Sequence, residues 1–286
     1  MRRSNPLLPA LFVLLWSTGF IAAKYGLPYA PPLKFLLVRF ALVTVLMLVV
    51  TLVTRAPWPR GGQLVHIAIS AWLVHGVYLG GVFISLAAGM PAGTSAMLVG
   101  LQPILTVFLA RAWLRERISP LQWSGLLLGL AGVYLVVRNK IGLGGESVAL
   151  VAVLVALAGI SVGTLYQKKY CGRVDLRSGA VIQFLACSLL YAPVVAIAEP
   201  APIAYTTQFL FALGWSVVVL SVGAISLLYW LLRHGAAADV ARLFYLVPPV
   251  TALMAFALFG ERLDALAIAG MVLIAVAVVL ARRRPA

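Results

Sequence analysis

Charge is scarce in this sequence, and negative charge most of all. Only 10% of the 286 residues are charged, and Asp and Glu together number 7. A soluble domain carries about 25% charged residues, so a globular surface facing water on all sides is excluded. Cysteine is nearly absent too. Cys171 lies in a polar connector and Cys187 inside an apolar run, which gives neither a disulfide framework nor a metal spacing. No phosphate-cradling glycine loop or paired carboxylates occur. These absences argue against an enzyme and predict no metal and no cofactor.

Apolar residues make up 63% of the chain, and the mean hydropathy is +1.07. A helix needs roughly 20 apolar residues to cross the hydrocarbon layer. Runs of that size fall near 7–25, 33–53, 63–88, 92–113, 120–138, 147–168, 178–198, 206–232, 236–259 and 264–281. Pro and Gly punctuate them at Pro28, Pro31, Pro57, Pro91, Pro120, Pro200 and Gly260, among others. Runs so long and without alternation fit helices and not barrel strands. The expected fold class is an all-α membrane protein of ten transmembrane helices.

The net charge of +15 does not form one basic face, which argues against a nucleic-acid partner. The cations sit in short connectors. With a cytoplasmic N-terminus, the inner connectors hold Arg55, Arg60, Arg111, Arg115, Arg117, Lys168, Lys169, Arg173, Arg177 and Arg233. The outer ones hold Lys24, Lys34, Arg138, Lys140 and Arg262, several diluted by acids. The positive-inside rule then places both termini in the cytoplasm.

The chain also repeats itself. Residues 96–118 read AMLVGLQPILTVFLARAWLRERI and residues 241–263 read ARLFYLVPPVTALMAFALFGERL. At one constant offset Ala96/Ala241, Leu98/Leu243, Pro103/Pro248, Thr106/Thr251, Glu116/Glu261 and Arg117/Arg262 are identical. Helices one and six pair through Ser17/Ser161, Gly19/Gly163 and Lys24/Lys168. The expected units are 1–140 and 141–286. Five helices is an odd number, so the second unit enters the membrane inverted, an arrangement typical of transporters. Because Leu7 to Ala23 forms the first helix of the repeat, it reads as a retained span and not as a cleaved signal.

The W-S-T-G-F stretch from Trp16 to Phe20, Arg39 in helix two and the doubled A-x-L-x-x-L-x-P-x-x-T pattern ending in Glu-Arg resemble the EamA type of the drug/metabolite transporter superfamily. The resemblance covers about residues 5–282. It implies a ten-helix carrier of the bacterial inner membrane that exports amino acids, including aromatic ones, or related metabolites. A multidrug exporter of the same fold and a channel are the competing readings. The implied partners are a small-molecule substrate and the lipid bilayer, with the protein a monomer or weak dimer.

Polar side chains within spans are costly in lipid and therefore mark candidate sites. On helix three, Trp72, His75, Tyr78 and Ser85 suggest a stripe facing a wet cavity; hydrogen bonding between helices is the plainer alternative. Helix four offers Gln102 beside Pro103, and helix nine offers Tyr245 beside Pro248. Both prolines read as mid-span kinks or hinges. Helix one contributes Trp16, Ser17 and Lys24, helix six Tyr166 and helix eight Tyr229. Lys24 and Lys168 equally suit snorkelling to the interface. Arg39 lies ~9 Å from its helix start, and either binds backbone carbonyls or meets a substrate carboxylate. Glu116 and Glu261 suit caps or pairs with their neighbouring arginines. No Asp or Glu falls near the middle of a span. The simplest mechanism is therefore facilitative, by alternating access, for a zwitterion or monoanion with an apolar side chain.

Overall fold

The computed structural model describes residues 7–114, 120–137, 145–172, 174–234, 243–244, 246–261 and 265–281. Among them the regular structure is entirely helical. The helices are α1 (Leu7–Gly26), α2 (Pro32–Val53), α3 (Gly62–Ala87), α4 (Ala92–Val99), α5 (Gln102–Leu114), α6 (Pro120–Val137), α7 (Gly145–Tyr170), α8 (Leu176–Ala198), α9 (207–234), α10 (Val247–Phe259) and α11 (Ala265–Ala281). Among the described residues, six stretches are long and apolar enough to cross a membrane: Leu7–Tyr29, Pro32–Val53, Gly62–Ala87, Ser147–Tyr170, Leu176–Ala198 and Thr207–Ala224. Trp123–Gly132, Val247–Phe259 and Ile268–Ala277 are shorter apolar helical segments. Many large apolar side chains point outward, with Ile197 85% exposed, as lipid contact requires.

Two departures from the simple count of runs matter for the site. The apolar run 92–113 is not one helix, because α4 ends at Val99 and α5 begins at Gln102. Pro103 therefore does not kink a continuous helix. It sits in the first turn of a new one, where its missing N–H leaves no bond unmade. Pro248 and Pro249 open α10 in the same way. Gly100 marks the break, and a Cβ there would stand 3.0 Å from the Pro248 ring. The second departure is a change of helix type. Trp72–Val77 in α3 and Trp215–Ala224 in α9 are π-helical. A π turn holds one extra residue and rotates the remainder of its helix by about 100°. The expected stripe on α3 is thereby split.

Carbonyls loosened in these turns find side-chain donors. Tyr191 Oη donates to Gly76 O at 2.8 Å, Cys187 Sγ lies 3.3 Å from Ala71 O, and Ser221 Oγ donates to Ser216 O at 3.0 Å. In a hydrocarbon layer such groups must be satisfied within the protein.

Helices pack as α2 on α8, α3 on α7, α4 on α10, α6 on α11, and α1 against α9 and α10. Small residues bring α3 and α7 together. A Cβ on Gly81 would stand 2.4 Å from Ala152 O, and one on Gly163 would stand 2.7 Å from Val74. The core between the helices is rich in rings, with Phe35, Phe40, Phe83 and Phe209 all fully buried. Cys171 and Cys187 are free thiols.

Candidate functional site

Where α4 breaks and α10 begins, neither helix can fill the space with regular side-chain rows, and a cavity opens. Its empty volume is ≈ 530 Å³, part of it open outward. Trp16 and Phe20 of α1 form one wall, with Phe244 beside them. Ala96, Val99 and Gly100 lie at the end of α4, Gln102 and Pro103 at the start of α5, and Val247 and Pro248 at the start of α10. Tyr78 of α3 and Ile160 of α7 complete the lining.

The aromatic wall is built by edge contacts. Trp16 and Phe244 meet at 5.1 Å with planes 83° apart, and Phe12 packs against both at 5.4 and 5.2 Å. This geometry suits the ring quadrupoles and holds the indole rigidly. Ser17 lies behind that wall, where it donates to Val13 O at 2.8 Å and lies 3.3 Å from Val247 O. Gln102 is fixed by Thr164, since Nε2 donates to Thr164 Oγ1 at 3.0 Å.

A second polar group lies behind Tyr78. Arg39 on α2 is 8% exposed. Its Nη2 donates to Ser221 Oγ of α9 at 3.4 Å, and its charge acts on Tyr78 and His75. His75 packs on Phe184 of α8 at 4.7 Å, and the nearby Gln183 donates to Ser70 Oγ at 3.4 Å. Arg39 thus acts electrostatically on His75 and Tyr78, and of the three only Tyr78 lines the cavity itself.

A third polar cluster joins the ends of three helices. Lys24 at the end of α1 forms an ion pair with Glu261, just after α10. The same carboxylate accepts from the backbone N–H of Ala92 at 3.0 Å and of Gly93 at 3.4 Å, at the start of α4. Lys24 Nζ also lies 5.3 Å from the centre of the Phe259 ring. Glu261 is therefore a cap, as its position at a helix end suggests, but it caps α4 and pairs with a lysine from α1. Lys24 does not simply snorkel. A negative group at a helix N-terminus is favourable because it faces the unpaired N–H groups.

The structure separates the other candidates from the cavity. Trp72 is 40% exposed and donates from Nε1 to Ala186 O at 3.1 Å, joining α3 to α8. Tyr166 meets His66 Nδ1 at 2.7 Å and packs on Tyr170. Ser85 bonds Met90 Sδ at 3.2 Å, and Lys168 is exposed. Tyr245, Glu116 and the side chain of Tyr229 lie outside the described residues. Sequence reasoning missed Phe244 and Gly100. A glycine two residues before Gln102-Pro103, in an apolar run, was the available signal for Gly100.

Apolar helices of spanning length, packed through small residues around a polar and aromatic cavity, define a multi-pass membrane transporter. The chain belongs to the EamA-like transporter family, which matches residues 6–138 and again 147–283. It is 29% identical to "Uncharacterized transporter YvbV" of Bacillus subtilis (strain 168), over 96% of this chain and 90% of that one. It is 27% identical to "Uncharacterized inner membrane transporter YedA" of Escherichia coli (strain K12), over 98% and 91%. The "Probable amino-acid metabolite efflux pump" of Escherichia coli (strain K12) is 28% identical, over 96% and 93%. A solved crystal structure at 19% identity covers 96% of both chains with a TM-score of 0.66, a likeness of fold. The protein is a multi-pass protein of the bacterial inner membrane.

Proposed function

We propose that the protein exports amino acids, aromatic and neutral ones foremost, or closely related metabolites, by facilitative alternating access. The observation that carries the reading is the cavity: a rigid aromatic wall at Trp16 and Phe244 lines it together with the polar groups of Tyr78 and Gln102. The name of the efflux pump similar to this chain points the same way. An apolar side chain would lie against the indole, and its polar end toward Tyr78.

Ten helices in two inverted halves with cytoplasmic termini remain the best account of the doubled motif, and the family match to each half supports it. Pairing of α2 with α8 and of α6 with α11 supports it as well, since each sets a helix against its sequence counterpart. Lys24 and Glu261 tie the ends of α1, α4 and α10 on one side of the cavity. In alternating access that tie would hold one entrance shut while the other admits substrate. Among the described residues no carboxylate lines the cavity, which favours a carrier that needs no proton.

The test is transport in proteoliposomes loaded with a panel of labelled amino acids. Saturable efflux without a pH or sodium gradient is expected. Strict dependence on either gradient overturns the facilitative mechanism, and no flux of any amino acid overturns the cargo.

A further inference from the structure

Arg39 is an unusual charge in its setting. It lies within an apolar span, on a helix turn with fully buried Leu36 and Phe40. Its Nε has no hydrogen-bond partner, and its Nη2 makes one long bond to a neutral hydroxyl. The acids whose side chains are described are all engaged elsewhere. Glu261 holds Lys24, Asp175 holds Arg177, and Glu199 accepts from the N–H groups of Leu33 and Lys34. A buried cation without a counter-anion costs several kcal/mol, and such residues persist in spans where they serve a function.

We propose that Arg39, flanked by Tyr78 and Ser221, is a carboxylate subsite of the cavity, so that the protein recognises apolar monocarboxylates as a class and does not require an amino group. Rigid forks of N–H donors match a carboxylate in two places at once. Nε and the Nη2 beside it form one such fork. Tyr78 lines the cavity together with Trp16, so a ligand with its carboxylate at Arg39 would lay its tail toward Trp16. An ammonium group meets no such complement, because no described carboxylate lines the cavity. The amine of an amino acid would then be tolerated and not read. The inference rests on the export reading only in placing a substrate in this cavity.

Calorimetric titration of the purified full-length protein in nanodiscs tests it, with 3-phenylpropionate, phenylalanine and phenethylamine as the three probes. The two acids should bind within about threefold of one another, and the amine at least about tenfold more weakly. Arg39→Gln should weaken both acids roughly ten- to hundredfold, with Arg39→Lys between. Ser221→Ala, which keeps the charge, should weaken them only a few fold. Should Arg39→Gln not fold, the comparison of acid with amine on the unaltered protein decides. Equal binding of the amine, or binding of neither acid, overturns the subsite. Arg39-dependent binding of phenylpropionate with no amino-acid flux in liposomes would sink the export reading while leaving the subsite standing.

Discussion

Replacing Glu261 by glutamine removes a charge and leaves most of the geometry in place. The glutamine carbonyl still accepts from Ala92, its amide nitrogen cannot accept the longer bond from Gly93, and the ion pair with Lys24 is lost. The Glu261 side chain is 9% exposed but that of Lys24 is 30% exposed, so solvent screens the pair, which is then worth about 1 kcal/mol. Loss of negative charge at the start of α4 adds about 0.5 kcal/mol. Glu261→Ala also removes the cap, worth about 1 kcal/mol, for a total near 2–3 kcal/mol. A double-mutant cycle with Lys24→Met isolates the pair, and should return a coupling of about 1 kcal/mol, roughly a factor of five in the unfolding equilibrium. Reversible unfolding in mixed micelles supplies the four stabilities. Strictly additive losses would show that Lys24 and Glu261 act independently, and the account of a tied cavity end would fail. The same variants should speed labelling of a cysteine placed near Phe20, since an untied end opens more often.

Gly81→Val drives a side chain into Ala152 O of α7 and should destabilise by about 1–3 kcal/mol, seen as a lower unfolding temperature with α3 and α7 farther apart in cross-linking. Tyr191→Phe leaves Gly76 O without its donor, at a cost of about 1–2 kcal/mol and with faster amide exchange around residues 76–80. Trp16→Ala should raise KM for aromatic cargo more than for small neutral amino acids in the liposome assay. The Arg177 hydrogen bonds hold the Asp175 carboxyl below its usual range. The stability this contributes is present above the unfolded pKa and is lost as pH falls through the folded one. Asp175→Asn should therefore flatten the acid limb of an unfolding-versus-pH curve, and an unchanged limb would refute the assignment.

Much of the fold was legible because membrane spans announce themselves by length. The site was legible only in part. Pro103 and Pro248 stood out at once, yet their effect depends on whether residues 100–101 stay helical, which the close approach of Gly100 to Pro248 decides. Tyr166 has the makings of a cavity residue, but His66, a hundred positions earlier, claims its hydroxyl. Lys24 and Glu261 lie 237 residues apart, beyond any local pattern. Arg39 was conspicuous by type and depth, but its neighbours Ser221 and Tyr78 arrive from two other helices. The π turns left no local signature at all, since their stability depends on donors such as Tyr191, far along the chain.

Those π turns constrain how this chain can evolve. Within a loop, one residue gained or lost changes little. Inside Trp72–Val77, a single deletion would let the helix relax to ordinary pitch with every later position of α3 still on its present face, because the residue lost is the one the π turn absorbs. In the α-helical stretch before it, with the π turn kept, the same deletion would turn every later position by about 100°; Tyr78 would leave the cavity, although no lining residue had been substituted. Cargo preference in such a protein is written partly in the count of residues along a helix, where a comparison of residue identities alone would not find it.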